Sequence, residues 1–389
     1  MRRPQLDVED IVKRRYSAGA HKREQNLCCA AVTYRADLLR VLPREIVARD
    51  YGCGDPSRHV REGETVLDLG SGAGKICYIA AQIVGPKGRV IGVDFNDDML
   101  ALARKHQTQI GNKLGFHNVE FRKGKIQDLA LDYELLEQWL RKYPVHSAND
   151  FLALQSQISH FKSTQPMIPN NSVDVVVSNC VLNLVKHTDK PQLFREIYRV
   201  LKPGGRAVIS DIVSDEDVPL TFQNNAKLWS GCVSGALRED LFLRAFEDVG
   251  FYGVQILERD DKPWRLLRGI EFRSITVAAY KGKGGECWER NQAVIYKGPF
   301  KEVLDDDGHR LRRGERDAVC DKTYQIYSRE PYRQHFVLVP PRKPVPLSRA
   351  KPFDCSRTAA RHPRETKGMK YQATTSNASN GTDCGAGCC

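Results

Sequence analysis

Two sets of residues in this sequence of 389 residues could carry chemistry: a glycine-rich turn near two acidic side chains, and cysteines spread along the chain. The turn follows a short apolar strand and contains Gly70, Gly72 and Gly74. Glycine lets the backbone approach a ligand closely, and the start of the helix behind the turn favours an anionic group. A second strand, residues 89–95, carries near its end Asp94, whose carboxylate can accept hydrogen bonds from both hydroxyls of a ribose. The two strands therefore predict a nucleoside-bearing cofactor at the carboxyl edge of an open α/β sheet.

The spacing of the glycines separates two kinds of cofactor. A dinucleotide-binding turn would have its third glycine at the position of Lys75. The pattern Asp68-x-Gly-x-Gly-x-Gly instead resembles that of class I methyltransferases, which use S-adenosylmethionine. A tight turn with Asp68 beside it suits a zwitterionic methionine better than a pyrophosphate. The expected cofactor contacts are Asp68, Gly70, Ser71, Gly72, Gly74, Asp94, Phe95, Ile126 and Asn179, with Asp128 as a weaker candidate for the adenine amino group.

A thiol follows the fourth predicted strand, residues 173–182, at the same edge of the sheet. Methylation of an oxygen or nitrogen atom usually needs a general base, and this strand end offers neither a histidine nor a carboxylate. It offers Asn179 and Cys180, and a thiolate prefers soft, thiophilic acceptors. Taken singly, a cysteine in a buried strand is more typical of packing than of a ligand. Cys53, which lies between two glycines, is harder to explain as packing, and Cys232 lies between two small residues.

Together, the segments around Cys53, the glycine turn, Cys180 and Cys232 resemble arsenite methyltransferases over residues 10–340. The resemblance implies that thiolates of Cys180 and Cys232 hold trivalent arsenic, with Cys53 as a third sulfur and Cys28 or Cys29 as a further thiol. It also implies that the lone pair of arsenic attacks the methyl group of S-adenosylmethionine. Arsenite and methylarsenite would be bound as thiol adducts, and thioredoxin or glutathione would restore active-site thiols oxidised to a disulfide.

Some features depart from that family's pattern. Arg15-Tyr16-Ser17 replaces the Tyr-Tyr-Gly of many members, in the segment that would cap the cofactor. The doublet of N-terminal cysteines leaves two choices for the fourth thiol. The insertion at residues 130–168 is longer than in many members, but a place on the rim of the sheet should leave the chemistry unaffected.

The remaining cysteines are expected to be incidental. They are Cys77 in the core, Cys287, Cys320 and Cys355 in the C-terminal region, and Cys384, Cys388 and Cys389 at the end of the chain. The terminal group could collect soft metals, but a frayed tail is the more typical interpretation. The histidines show no ligand spacing, so a structural zinc site is not predicted.

The elements that must position these residues form an α/β fold. Alternating strands and helices predict a Rossmann-like, seven-stranded class I methyltransferase sheet with helices on both faces and an antiparallel last hairpin. The predicted organisation is an N-terminal helical arm with thiols (1–60), a cofactor-binding α/β domain (61–218) with a helical insertion (130–168), an arsenic-binding segment with the closing strands (219–285), a small C-terminal α+β domain (286–340) and a disordered basic tail (341–389).

The distribution of charge and of apolar residues limits the kinds of partner that the protein is expected to bind. The formal charge is +12, but Pro340 to Tyr371 alone carries nine Lys or Arg and two acids, so the rest of the chain is near balance. A basic face for nucleic acid is therefore not predicted. No apolar run is long enough for a membrane span or a signal core. We expect a cytoplasmic protein without nucleic-acid or membrane partners, whose cysteines stay reduced.

Two other functions fit parts of the pattern. A methyltransferase acting on carbon or oxygen of a small lipid or quinone would have a similar glycine turn, but its activity would survive Cys180→Ser. A non-catalytic thiol protein that sequesters arsenite would bind arsenite without consuming the methyl donor. RNA methylation is disfavoured by the distribution of charge.

Overall fold

The computed structural model describes residues 6–24, 34–355 and 360–368. The chain divides into two compact units, Met1–Gly282 and Lys283–Cys389. Cys28, Cys29 and the three terminal cysteines lie outside the described residues. Among the residues described, no helix is both long enough and apolar enough to cross a lipid bilayer.

The first unit is built on one twisted sheet. Its main path runs in the order β3-β2-β1-β4-β5-β9-β7, with β6 paired to β5 and β8 to β9. The first five strands of this path are parallel, and β9 pairs antiparallel with both β5 and β7. The predicted class I methyltransferase fold with its antiparallel last hairpin is therefore confirmed. The strands are β1 (Thr65–Leu69), β2 (Arg89–Asp94), β3 (Val119–Lys123), β4 (Val173–Asn179), β5 (Leu201–Ser214), β6 (Leu237–Arg238), β7 (Tyr252–Arg259), β8 (Arg265–Leu267) and β9 (Ile270–Tyr280).

Helices connect these strands and precede them. Their starts are set by capping side chains: Asn96, for example, accepts hydrogen bonds from the backbone N–H groups of Asp98 and Met99. The helices of this unit are α1 (Val8–His21), α2 (Ala36–Leu39), α3 (Arg44–Ala48), α4 (Lys75–Val84), α5 (Asp97–Lys105), α6 (Gln107–Leu114), α7 (Tyr133–Lys142), α8 (Ala148–Thr164), α9 (Lys190–Val200), α10 (Leu220–Gln223), α11 (Ala226–Trp229) and α12 (Glu239–Glu247).

The register between the central strands aligns their carboxyl ends at one edge of the sheet. Val66 of β1 lies opposite Val90 of β2 and Val175 of β4, and all three side chains are fully buried. A parallel strand with helices on both faces must be apolar on both faces, which is the pattern of β4. This register brings the ends of β1, β2 and β4 to one edge, where the glycine turn, Asp94 and Cys180 follow.

Residues 130–168 form the helices α7 and α8 between β3 and β4. The base of this insertion is closed by two backbone hydrogen bonds, from Met167 N to the oxygen of Ala130 and from Ile168 N to the oxygen of Leu129. Phe151 and Leu152 of α8 are exposed. The insertion contributes no residue to the cofactor cavity described below.

The second unit is a small mixed fold. Its central three strands lie in the order β14-β11-β15, and two short pairs, β10 with β16 and β12 with β13, complete it. The elements are β10 (Trp288–Glu289), β11 (Ala293–Tyr296), β12 (Glu302–Leu304), β13 (Arg310–Arg312), β14 (Arg316–Ala318), α13 (Asp321–Tyr327), β15 (Phe336–Val339), β16 (Lys351–Pro352) and α14 (Pro363–Lys367).

The prediction of a disordered tail from residue 341 is wrong for 341–355 and 360–368. β16 pairs with β10, and the buried guanidinium of Arg361 binds both carboxylate oxygens of Glu289. Proline and excess positive charge suggested disorder, but a single well-placed carboxylate gives the segment a partner. The unit also begins at Lys283, slightly before the predicted residue 286.

Candidate functional site

A cavity opens at the carboxyl edge of the sheet, between the ends of β1, β2, β3 and β4. Of the nine predicted cofactor contacts, eight line it: Asp68, Gly70, Ser71, Gly72, Asp94, Phe95, Ile126 and Asn179. Gly74 does not line the cavity. It precedes α4 in a left-handed conformation (φ 84°), packed close to the ring of Phe121. Asp128 is also not in the lining, and its carboxylate pairs with Lys162 over 2.5 Å.

Asp94 shapes the turn as well as facing the cavity. Its carboxylate accepts hydrogen bonds of 2.8 Å each from the backbone N–H groups of Gly72 and Asn96. Burial raises the pKa of Asp94, and these hydrogen bonds oppose that shift. These hydrogen bonds therefore hold the carboxylate in place at the wall of the cavity.

Asp68, predicted from the sequence as a contact near the methionine end of the donor, lines the same cavity. Burial raises the pKa of Asp68 to about 7, opposed by a hydrogen bond from the Cys77 thiol and reinforced by the charge of Asp94. A carboxyl group in this state is ready to ionise when a positive charge enters the cavity. Cys77 is fully buried, as the sequence predicted.

Helix α1 forms one wall of the cavity. It contributes Glu9, Val12, Lys13 and Tyr16, none of which is among the cofactor contacts predicted from the sequence. The ring of Tyr16 meets that of Tyr51 edge-to-face, with centroids 6.0 Å apart. The segment that departs from the family pattern therefore still covers the cavity.

Cys180 and Cys232 come from distant parts of the chain and meet at this edge. Cys180 directly follows β4, its N–H donates to Ser210 O over 2.8 Å, and it lines the cofactor cavity. The Sγ of Cys232 lies 3.3 Å from the carbonyl oxygen of Cys180. Both side chains are buried in one apolar cluster together with Cys53. We call these three cysteines the thiol cluster.

Both cysteines have left-handed backbone conformations, with φ of 65° at Cys180 and 61° at Cys232. A non-glycine residue in this region carries strain of about 1–3 kcal/mol, and such strain concentrates at functional sites. The conformation lets the chain turn sharply after β4. Cysteine, which is not β-branched, fits this backbone better than valine or threonine would.

Asn179 positions the third thiol. Its Oδ1 accepts hydrogen bonds from the N–H groups of Cys53 (2.8 Å) and Gly54 (3.0 Å), and its Nδ2 donates to Gly54 O (2.7 Å) and to the hydroxyl of Tyr34 (3.1 Å). The sequence predicted Asn179 as a cofactor contact. It does line the cavity, but its amide is also committed to the loop that carries Cys53.

The three sulfur atoms of the thiol cluster are not all within 4.8 Å of one another. In the described part of the chain, two groups of potential ligands have all their ligand atoms within 4.8 Å of one another, and neither contains Cys53, Cys180 or Cys232. The structure thus gathers the predicted thiols without bringing all three into contact. The seven described cysteines are all thiols rather than disulfides.

Arg15 links the arm to the segment that precedes Cys232. Its guanidinium donates to Lys227 O (3.0 Å) and to the Ser230 hydroxyl (2.9 Å), and it pairs with Glu24 over 2.7 Å. In the sequence, this position stands out only as a departure from the family pattern.

The burial of two lysines, Lys75 and Lys190, was also not predicted from the sequence. Lys75, at the position where a dinucleotide turn has glycine, pairs with Asp50 over 2.5 Å and lies 3.5 Å from the centre of the Tyr34 ring. Burial lowers the pKa of Lys190 to about 8, which the negative charge of Asp211 opposes. Each lysine is the first residue of a helix, Lys75 of α4 and Lys190 of α9. At such a position the sequence alone predicts a solvent-exposed lysine.

Comparison with known proteins gives the family. A methyltransferase-domain model matches residues 61–157 and 146–250, and a model described as a domain of unknown function matches residues 283–371. An arsenite methyltransferase of Aquipseudomonas alcaligenes is 33% identical over 329 residues, which cover 80% of this chain and 84% of that protein. The arsenite methyltransferase of Mus musculus is 30% identical, with 79% of this chain and 75% of that protein covered.

A solved structure shows the same likeness. An arsenic(III) S-adenosylmethionine methyltransferase from Chlamydomonas reinhardtii matches with a TM-score of 0.53 and 28% identity, covering 78% of this chain and 94% of that one. Because one third of the residues are identical over most of both chains, this protein belongs to the arsenite methyltransferase family.

Proposed function

We propose that this protein methylates trivalent arsenic, first arsenite and then methylarsenite, with S-adenosylmethionine as the methyl donor. The observation that carries the proposal is the position of Cys180, which belongs both to the cofactor cavity and to the thiol cluster. A sulfur ligand at this place would hold a bound atom next to the donor. The named activity of the relatives supports the choice of arsenic.

The cavity has features that fit the donor. The hydroxyl of Ser71 lines it and, among the described residues, is buried without a hydrogen-bond partner. A Cβ at Gly72 would meet nothing within 4 Å, so the turn leaves open space for a ligand beside the backbone. S-Adenosylmethionine supplies an electrophilic methyl group on a sulfonium. In this proposal Asp94 binds the ribose hydroxyls and Asp68 faces the methionine ammonium.

The thiol cluster would hold the substrate. Each thiol that binds loses its proton, forms one As–S bond and displaces one hydroxyl of arsenite as water. Sulfur ligands raise the electron density of arsenic, whose lone pair then attacks the methyl carbon while the sulfonium leaves as a thioether. No proton is abstracted in that step, which suits a strand end with Asn179 and Cys180 in place of a general base.

Positioning supplies much of the rate in such a displacement. Arsenic bound at Cys180 and Cys232 would draw in Cys53, whose loop is held by Asn179. Methyl transfer leaves arsenic pentavalent. Its reduction takes two electrons, which two cluster thiols would supply by forming a disulfide, and thioredoxin or glutathione would then reduce that disulfide.

The test is a product analysis. Purified protein is incubated with arsenite, S-adenosylmethionine and a thiol reductant, and the arsenic species are separated and quantified. We expect methylated arsenic and S-adenosylhomocysteine to appear together. Inorganic arsenic alone, with the donor intact, would refute the proposal and favour a protein that only sequesters arsenite. A lipid or quinone methyltransferase would give the same negative result with arsenite but would retain its own activity in Cys180→Ser.

A further inference from the structure

Three cysteines that are expected from the sequence to be incidental meet in the second unit. The Sγ atoms of Cys287, Cys320 and Cys355 all lie within 4.8 Å of one another. Cys320 is buried, and the other two are half-buried. We call this group the C-terminal thiol triad. Its members are far apart in the sequence, so no ligand spacing revealed them.

A strand pair places two of the three. β10 and β16 are antiparallel, with Trp288 opposite Pro352. The N–H of Phe353 donates to the carbonyl oxygen of Cys287 over 2.8 Å, which extends this pairing. Cys287 immediately precedes β10 and Cys355 follows β16, so the pairing brings both thiols to the same end of the strands.

The third thiol stands at the start of α13. Cys320 is the N-cap of this helix, and its sulfur accepts a hydrogen bond from the N–H of Thr323 over 3.4 Å. The guanidinium of Arg290, just after β10, pairs with Asp321 over 2.9 Å. This ion pair fastens the helix start to the strand pair. The three thiols are therefore assembled by the fold itself, and a ligand would not have to gather them.

We propose that the C-terminal thiol triad is a second trithiolate site, which binds trivalent arsenic separately from the thiol cluster. Three S–H groups lose their protons, three As–S bonds form, and the three hydroxyls of arsenite leave as water, with no change of oxidation state. The choice of arsenite as the ion rests on the proposed function; the presence of a soft-ion site rests on the geometry.

The number of ligands favours a three-coordinate ion. In the residues the structure describes, the group contains three cysteines and no fourth His, Cys, Asp or Glu within the same distance. Structural zinc sites are four-coordinate, whereas trivalent arsenic is satisfied by three sulfurs, and thiolates select soft ions. Three thiolates also neutralise the three positive charges of arsenic(III), so the half-buried complex would carry no net charge.

The test uses the full chain with Cys53, Cys180 and Cys232 all changed to Ser, so that binding is measured without the thiol cluster and without any methyl donor. Sodium arsenite is added, unbound arsenic is removed by desalting, and arsenic and zinc per chain are measured by mass spectrometry. We expect about one tightly held arsenic, with three As–S contacts in the X-ray absorption spectrum. Failure of methylation in the unmodified protein would not affect this measurement.

Cys320→Ser, added to that background, is the sharpest variant. Serine is a better N-cap than cysteine, so the helix start and the melting temperature should be retained while one sulfur is removed. We expect arsenic retention to fall at least tenfold, and likewise with Cys287→Ser or Cys355→Ser. A matched control changes Cys384, Cys388 and Cys389 to Ser and should retain the arsenic. Retention after Cys320→Ser, loss only in the control, or one zinc per chain that arsenite does not displace would overturn the proposal.

Discussion

The thiol of Cys232 donates a hydrogen bond to the carbonyl oxygen of Cys180 over 3.3 Å, and both residues have left-handed backbones. The two positions are therefore in direct contact. In the proposed function, a thiol that binds arsenic loses the proton used in this hydrogen bond, so the Cys232 sulfur would turn away from the carbonyl oxygen and toward the Cys180 sulfur.

Removing either sulfur should stop methylation without preventing donor binding. For Cys180→Ser and Cys232→Ser we expect the rate of arsenite methylation to fall about 100-fold or more, equivalent to about 2.7 kcal/mol. S-Adenosylmethionine affinity, measured by calorimetry, should change little. Cys388→Ser, which removes a thiol outside the described residues, is the matched control and should keep the full rate. A loss of donor affinity in Cys232→Ser as large as its loss of methylation rate would contradict the assignment of Cys232 as an arsenic ligand.

Asn179 should stabilise the Cys53 loop more than it binds the donor. Asn179→Ala leaves the N–H groups of Cys53 and Gly54 without their acceptor, and we expect the free energy of unfolding to fall by about 2–3 kcal/mol. Urea unfolding of the donor-free protein measures this. Asn112→Ala, at an exposed position on α6, should cost less than about 0.5 kcal/mol. If both variants unfold alike, Asn179 does not hold the loop.

Donor affinity should depend on pH through Asp68. Because the pKa of Asp68 is about 7, its carboxyl is half-protonated at that pH, whereas the donor's ammonium would bind best to the carboxylate. Affinity should therefore fall about tenfold for each pH unit below about 7, as expected when donor binding releases one proton from Asp68. Calorimetry between pH 5.5 and 8.5 tests this. Asp68→Asn should bind more weakly and lose the slope; an unchanged slope in that variant would assign the proton to another group.

The raised pKa of Asp68 also changes how the stability of the folded protein depends on pH. Because the pKa of Asp68 is higher in the folded protein than its ordinary value of 3.8, the folded state binds this proton more tightly than the unfolded state. The contribution of Asp68 to stability is thus largest at low pH and is lost as the pH rises toward 7. Asp68→Asn should remove this loss, raising the melting temperature of the donor-free protein at pH 8 more than at pH 5.

Arg15 should contribute to arsenite affinity, whereas the neighbouring Arg14 should not. In Arg15→Ala the hydrogen bonds to Ser230 and Lys227 are lost, which frees the segment that leads to Cys232. We expect arsenite affinity to fall about tenfold, or about 1.4 kcal/mol. Arg14→Ala, on the exposed side of the same helix, is the control, since its ion pair with Asp10 is on the surface. Equal effects of the two substitutions would show that only helix stability had changed.

The sequence predicted those parts of the site that rest on local pattern. The turn from Gly70 to Gly72 and the strand end at Asp94 carry their own signals, because glycine spacing and a terminal carboxylate are read within a few residues. The position of Cys180 followed from a buried strand that had to end at the same edge. The pairing of Cys180 with Cys232 needed the resemblance to a family.

Other parts depend on tertiary contacts that no local pattern records. Cys287, Cys320 and Cys355 meet only because β10 pairs with β16 and α13 starts beside them. Arg361 looked like part of a solvated basic tail until its partner Glu289 was known. Lys75 and Lys190 are buried against the expectation for lysine, each with a partner that lies elsewhere in the chain.

The placement of α1 has a consequence for how the two substrates load. One face of this helix lines the cavity through Lys13 and Tyr16, while Arg15 holds the segment that leads to Cys232. In the proposed function, a single element would therefore contact the binding sites of both substrates. Any gain in arsenite affinity that the donor produces through α1 must be matched by an equal gain in donor affinity produced by arsenite. The enzyme would then fill as a pair of cooperating sites, which disfavours consumption of donor when no metalloid is present.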